Sequence, residues 1–150
     1  MTKFEWSDLY TTGIPRVDRE HRELFRCAET FDEACRENRG PEQLEQTLHY
    51  LHHYAMTHFR GEEDQMERVA YPELESHRLE HEGLLSRVRK TLEKMHEGES
   101  PALAEFGEFV NAWISRHILE RDKNFAKWLA HKTKRPRSPS ESLVLEPDSP

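Results

Sequence analysis

Four short stretches place metal-ligand residue types at helical intervals. His58 is followed four residues later by Glu62, His77 four later by His81, and His117 five later by Asp122, while His21 closes the run "DREH". Side chains three or four apart share one face of a helix. Both rings of the His77/His81 pair therefore reach a single ion. No single pair decides the matter, because His-x3-Glu on a charged helix is an ordinary surface feature.

Phase with the apolar residues makes the pairs informative. Val17, Leu24, Ala28, Phe31 and Cys35 form a helical series that passes through His21. Leu44, Leu48, Leu51 and Ala55 continue into His58 and Glu62. Leu74, Leu84, Val88 and Leu92 enclose His77 and His81, and Leu103, Phe106, Val110, Trp113 and Ile114 lead to His117. Each segment thus points at least one histidine to the interior. An unpartnered buried polar group costs roughly 1–3 kcal/mol, and a whole domain has only about 5–15 kcal/mol of net stability. Six such groups in one core require a partner, and a bound metal supplies one. The other histidines, His49, His52, His53, His96 and His131, fall off the stripes or near helix ends and are expected at the surface, with His52 on the margin.

Gly and Pro punctuate the segments at "TTGIPRVD", "NRGPEQ", "AYPE" and "EGESPAL". Pro41, Pro72 and Pro101 are placed to open helices, with Ser100 and Asp18 as expected caps. Strand signals are absent. Four amphipathic helices joined by short turns predict an all-α, antiparallel up-down four-helix bundle. The first sixteen residues, with Trp6, Leu9, Tyr10 and Ile14, are expected to pack across it. From Lys132 the chain holds four of the eight prolines and four serines, so residues 1–131 are read as the bundle and 132–150 as a disordered tail. That tail is a possible docking segment for a protein partner.

The net charge is −7. The tail's four basic and three acidic residues make it +1, leaving −8 on residues 1–131. An acidic body argues against nucleic acid as a partner. No apolar run approaches the roughly 20 residues of a membrane span, and the N-terminus lacks the apolar core of a signal peptide. The expectation is a cytoplasmic protein, monomeric, with no membrane partner. Cys27 and Cys35 lie eight apart on one helix, too far for a disulfide.

Taken together, "DREH", "HFRGEE" with Met66, "HRLEH" and "HILERD" resemble the hemerythrin family in its bacterial single-domain form, over about residues 3–130. The resemblance implies two non-heme iron ions with an oxo or hydroxo bridge. His77, His81 and His117 would bind one iron, His21 and His58 the other, and Glu62 and Asp122 would bridge them. Counting ligands leaves one open position, on the iron of His21 and His58. The implied function is reversible binding of O2 for storage, delivery or scavenging, not enzymatic turnover. The alternatives are an O2 or redox sensing module and a di-iron enzyme acting as ferroxidase, peroxidase or in nitric oxide handling. Heme is disfavoured, since Cys-x-x-Cys-His is absent.

Leu24, Phe59, Trp113 and Ile114 lie close in sequence to the ligands and are candidates for the O2 pocket. Phe59, Trp113 and Ile114 also match the family's pocket positions. Glu63 should face outward or support a ligand, Glu20 and Asp18 are candidates to orient an imidazole, and Met66 should fill core. One interval resists regular geometry. His117 and Asp122 are about 140° apart on an ideal helix, so a π-bulge or similar irregularity is expected near 117–122.

Overall fold

The computed structural model describes residues 6–99 and 102–134. Its helices are α1 (Pro15–Arg36), α2 (Pro41–Arg68), α3 (Leu74–His96), α4 (Leu103–His117) and α5 (Lys123–Lys134). A π-helical turn, Ile118–Asp122, joins the last two. The backbone stays right-handed helical through this turn, so α4, the turn and α5 form one rod, the fourth member of the bundle. The close backbone approaches are α1 with α2, α2 with α3 and α1 with α4. That is the up-down arrangement that the four apolar stripes predict.

The expected stripes are the core. Val17, Leu24, Ala28, Phe31, Leu48, Leu51, Ala55, Leu84, Val88, Val110 and Ile114 are all buried. Gly107 lets α4 approach α1, because a Cβ there would lie 3.0 Å from Asp32 Oδ1. A smaller apolar cluster of Met66, Tyr71 and Phe125 closes the other end, and Met66 fills core as expected.

Three helices end in a left-handed residue. Asn38 (φ 54°), Ala70 (φ 56°) and Gly98 (φ 84°) let the following amide return to a carbonyl of the last turn. Asn and Gly adopt this conformation readily. Ala70 does so at a cost of about 1–2 kcal/mol, and Tyr71, buried against Phe125 and Trp128, offsets it.

The N-terminal segment does lie across the bundle. Trp6 and Tyr10 pack on Phe25, and the Tyr10 hydroxyl pairs with Ser115 Oγ at 2.8 Å. Three boundary expectations need correction. Asp18 lies inside the first turn of α1; it does not cap it, and its carboxylate accepts hydrogen bonds from Thr12 N, Thr12 Oγ1 and Gly13 N. Pro72 precedes α3 in a turn instead of opening it. The final helix continues through residues 132–134, past the expected domain boundary at 131. The cap expected at Ser100–Pro101 and the tail from 135 onward lie outside the described residues.

Candidate metal centre

Seven polar side chains meet in the middle of the bundle. His21 comes from α1, His58 and Glu62 from α2, His77 and His81 from α3, His117 from α4 and Asp122 from the π turn. None is more than 4% exposed. The π turn accounts for Asp122. The Lys123 amide bonds to the Ile118 carbonyl, five residues back, and this wider turn absorbs the extra residue between His117 and Asp122. Asp122 Oδ1 therefore faces His117 Nε2 at 3.2 Å.

The donors form two groups that share Glu62. His77, His81, His117, Glu62 and Asp122 make the first, and His21, His58 and Glu62 the second. Glu62 Oε2 lies 3.0 Å from His58 Nε2 and 3.1 Å from His21 Nε2, while Oε1 lies 3.4 Å from His81 Nε2 and 3.5 Å from His77 Nε2. Asp122 also spans the groups. Its Oδ1 is 2.9 Å from His77 Nε2 and its Oδ2 is 3.1 Å from His21 Nε2.

These residues fit cations, and the outer nitrogens show why. His58 Nδ1 faces Glu20 at 2.7 Å, His81 Nδ1 faces Glu63 at 2.7 Å, and His117 Nδ1 faces Glu80 at 3.0 Å. In each case the ring N–H donates to the carboxylate, which leaves Nε2 a bare lone pair in the neutral ring. Yet His81 Nε2 and His117 Nε2 are 3.1 Å apart. Converging lone pairs repel unless a positive charge lies among them. Glu62 Oε1 and His58 Nε2 are likewise buried with no hydrogen-bond partner.

Protons are the competing positive charge. Burial disfavours the imidazolium of His21 and of His117, but Asp122 and Glu62 outweigh it at both, with Glu80 also acting on His117, and raise each pKa to about 9. His77 is raised for the same reason, and His58 is raised by Glu62 and Glu20 against its own burial. Burial would raise the carboxyl pKa of Glu62 and Asp122, yet the surrounding histidines hold both well below the usual range. A histidine raised from about 6.5 to about 9 stabilises the fold fully below pH 6.5 and loses that contribution as pH climbs to 9. The melting temperature of chelator-treated, metal-free protein should therefore fall between pH 6.5 and 9. Metal affinity should rise over the same interval, because ligation displaces these protons. A metal-free melting temperature that is flat or rises over that range would contradict this account of the pocket.

Aromatic rings wall the first group. Phe59 stacks on His81 at 3.8 Å and 3°, and Trp113 stacks on His117 at 4.5 Å and 12°. Phe59 also approaches His58, at 5.8 Å, so it touches both groups. Leu24 and Ile114 are buried in the same core cluster. Glu63 and Glu20 each orient a ring. Asp18, the third candidate, does not, being held by the Thr12–Gly13 turn. Glu80 escaped the sequence reading, although its place beside His81 was a usable signal. Among the remaining histidines His49, His53, His96 and His131 are exposed and His52 is half-buried.

Residues 12–129 match the family described as the hemerythrin HHE cation binding domain. The chain belongs to the hemerythrin family. It is 30% identical to a bacteriohemerythrin of Clostridium acetobutylicum, across 81% of this chain and 98% of that one. It is 31% identical to a hemerythrin subunit alpha of Lingula anatina, across 79% and 89%. A crystal structure of wild-type hemerythrin superposes with a TM-score of 0.76 over 85% of this chain and 95% of that chain, at 24% identity, and shares the fold. Hemerythrin domains hold a non-heme di-iron centre and bind O2, and the buried His/Glu/Asp cluster of this chain fits that centre.

Proposed function

We propose that this chain binds O2 reversibly at two irons, for storage, delivery or scavenging, and that turnover is not its role. His77, His81 and His117 would hold one iron, His21 and His58 the other, and Glu62 and Asp122 would bridge them. The carrying observation is the shared carboxylates. Each oxygen of Glu62 faces a different histidine group, and the two oxygens of Asp122 do the same. When bound, the iron pair supplies the redox-active centre at which O2 is held and released. The protein supplies position and dryness. Five imidazoles against two carboxylates make the donor set poorer in negative charge than Glu-rich di-iron sites, which supports carriage over oxidation. Phe59, Trp113, Ile114 and Leu24 are proposed to line the O2 pocket and exclude water.

Among the described residues no helix is long and apolar enough to cross a membrane. A cytoplasmic setting remains part of this reading, supported by the free thiols Cys27 and Cys35. The test is metal analysis with optical spectra of the reduced protein before and after O2. Two irons per chain, and an O2-dependent band that disappears under argon, are expected. A single zinc, or a diferric state that argon does not reverse, would overturn the proposal.

A further inference from the structure

Three acidic residues outside the donor set form a pattern that runs from helix to helix. Glu20, beside His21 on α1, accepts from His58 on α2. Glu63, beside Glu62 on α2, accepts from His81 on α3. Glu80, beside His81 on α3, accepts from His117 on α4. The carboxylate next to a donor on one helix therefore fixes a donor ring on the next. Helix geometry explains this. Adjacent residues are about 100° apart, so when a donor points to the bundle axis its neighbour points along a seam between helices.

Each of these carboxylates also has an arginine partner. Arg16 lies 3.5 Å from Glu20, Arg78 lies 3.6 Å from Glu63, and Arg121 lies 2.8 Å from Glu80. The acceptor is thus held between imidazole and guanidinium. The arrangement is uneven. In the His77, His81 and His117 group two rings are fixed this way; in the His21 and His58 group only His58 is. The Nδ1 atoms of His21 and His77 are buried with no hydrogen-bond partner.

We infer that Glu20, Glu63 and Glu80 are positioning residues that set the retention of the two metal ions separately. Glu20 governs the ion held by His21 and His58. Glu63 and Glu80 govern the ion held by His77, His81 and His117. This rests on the di-iron reading above. All three side chains are partly exposed, 27%, 19% and 39% for Glu20, Glu63 and Glu80, so their truncation opens no core cavity.

The test is release of iron from the loaded full-length protein into an excess of a ferrous chelator. Glu20→Ala should release one iron per chain about 10–100-fold faster than the parent and the second at the parental rate. Glu80→Ala should release one iron faster as well, but the other one, so the one-iron forms of the two variants should differ in Mössbauer signature. Glu20→Gln keeps an acceptor oxygen and should stay within about threefold of the parent. Melting of the iron-free variants separates positioning from mere tying of helices: release should change far more than the melting temperature does. Parental release rates in both alanine variants, or two irons leaving in step in either, would overturn the inference. Parent protein that holds no pair of irons would instead remove the di-iron reading itself.

Discussion

Glu62→Ala should empty both metal sites at once and lower the melting temperature of the iron-free chain by roughly 6–20 °C. The first effect follows from the shared carboxylate. Its Oε2 lies within 3.1 Å of His21 and His58, and its Oε1 within 3.5 Å of His77 and His81, so no other single residue faces as many of the donors. The second follows from charge. Glu62 is buried and held as a carboxylate against its histidines, and removing one partner from a buried ion pair costs about 3–5 kcal/mol. For a domain near this size each kcal/mol moves the melting temperature by about 2–4 °C. Iron analysis and calorimetry of the purified variant check both. Glu62→Gln separates shape from charge: it fills the same volume and should still lose both irons. A variant that kept one iron tightly would show that Glu62 serves a single site, not two.

The bundle was legible because its signal is periodic and redundant. Leu48, Leu51 and Ala55 each place His58 and Glu62 on the inner face, and an error at one position would not have moved the stripe. The donors were legible for the same reason, with Asp122 the exception that marked its own difficulty: a five-residue interval on an inward face demands a wider turn. The details that escaped depend on one neighbour each. Asp18 looks like a cap until the Thr12–Gly13 turn is known to fold back onto it. Ala70 carries no sign of its left-handed conformation, which tertiary packing of Tyr71 enforces. Glu80 reads as solvated surface, because the sequence does not say that the seam it faces contains His117. Pattern fixes what points inward, whereas the partner across a seam depends on rotation and spacing of two helices at once.

Deleting Leu119 should leave both irons bound, whereas deleting Ala112 should abolish binding. From Ile114 onward the buried positions of the last rod are Ile114, His117, Ile118, Asp122, Phe125 and Ala126. The interval from His117 to Asp122 is five residues, one more than the four that bring two side chains to one helix face. The π turn at Ile118–Asp122 holds that extra residue, and Leu119 is among its exposed members, at 39%. Without Leu119 the interval from His117 to Asp122 becomes four, the spacing of an ordinary α-helical face. The carboxylate of Asp122 then stands one turn from His117, on the same face. Ala112 lies in regular helix. Its loss turns everything on one side of the gap by about 100° against the other, so His117 and Asp122 cannot both point inward while Phe106 and Val110 stay in the core. Iron content and helical circular dichroism of the two deletions distinguish the cases. If the Leu119 deletion loses its iron while remaining folded, the π turn supplies geometry that a regular helix does not, and Asp122 depends on the shape of that turn and not only on its place in the sequence.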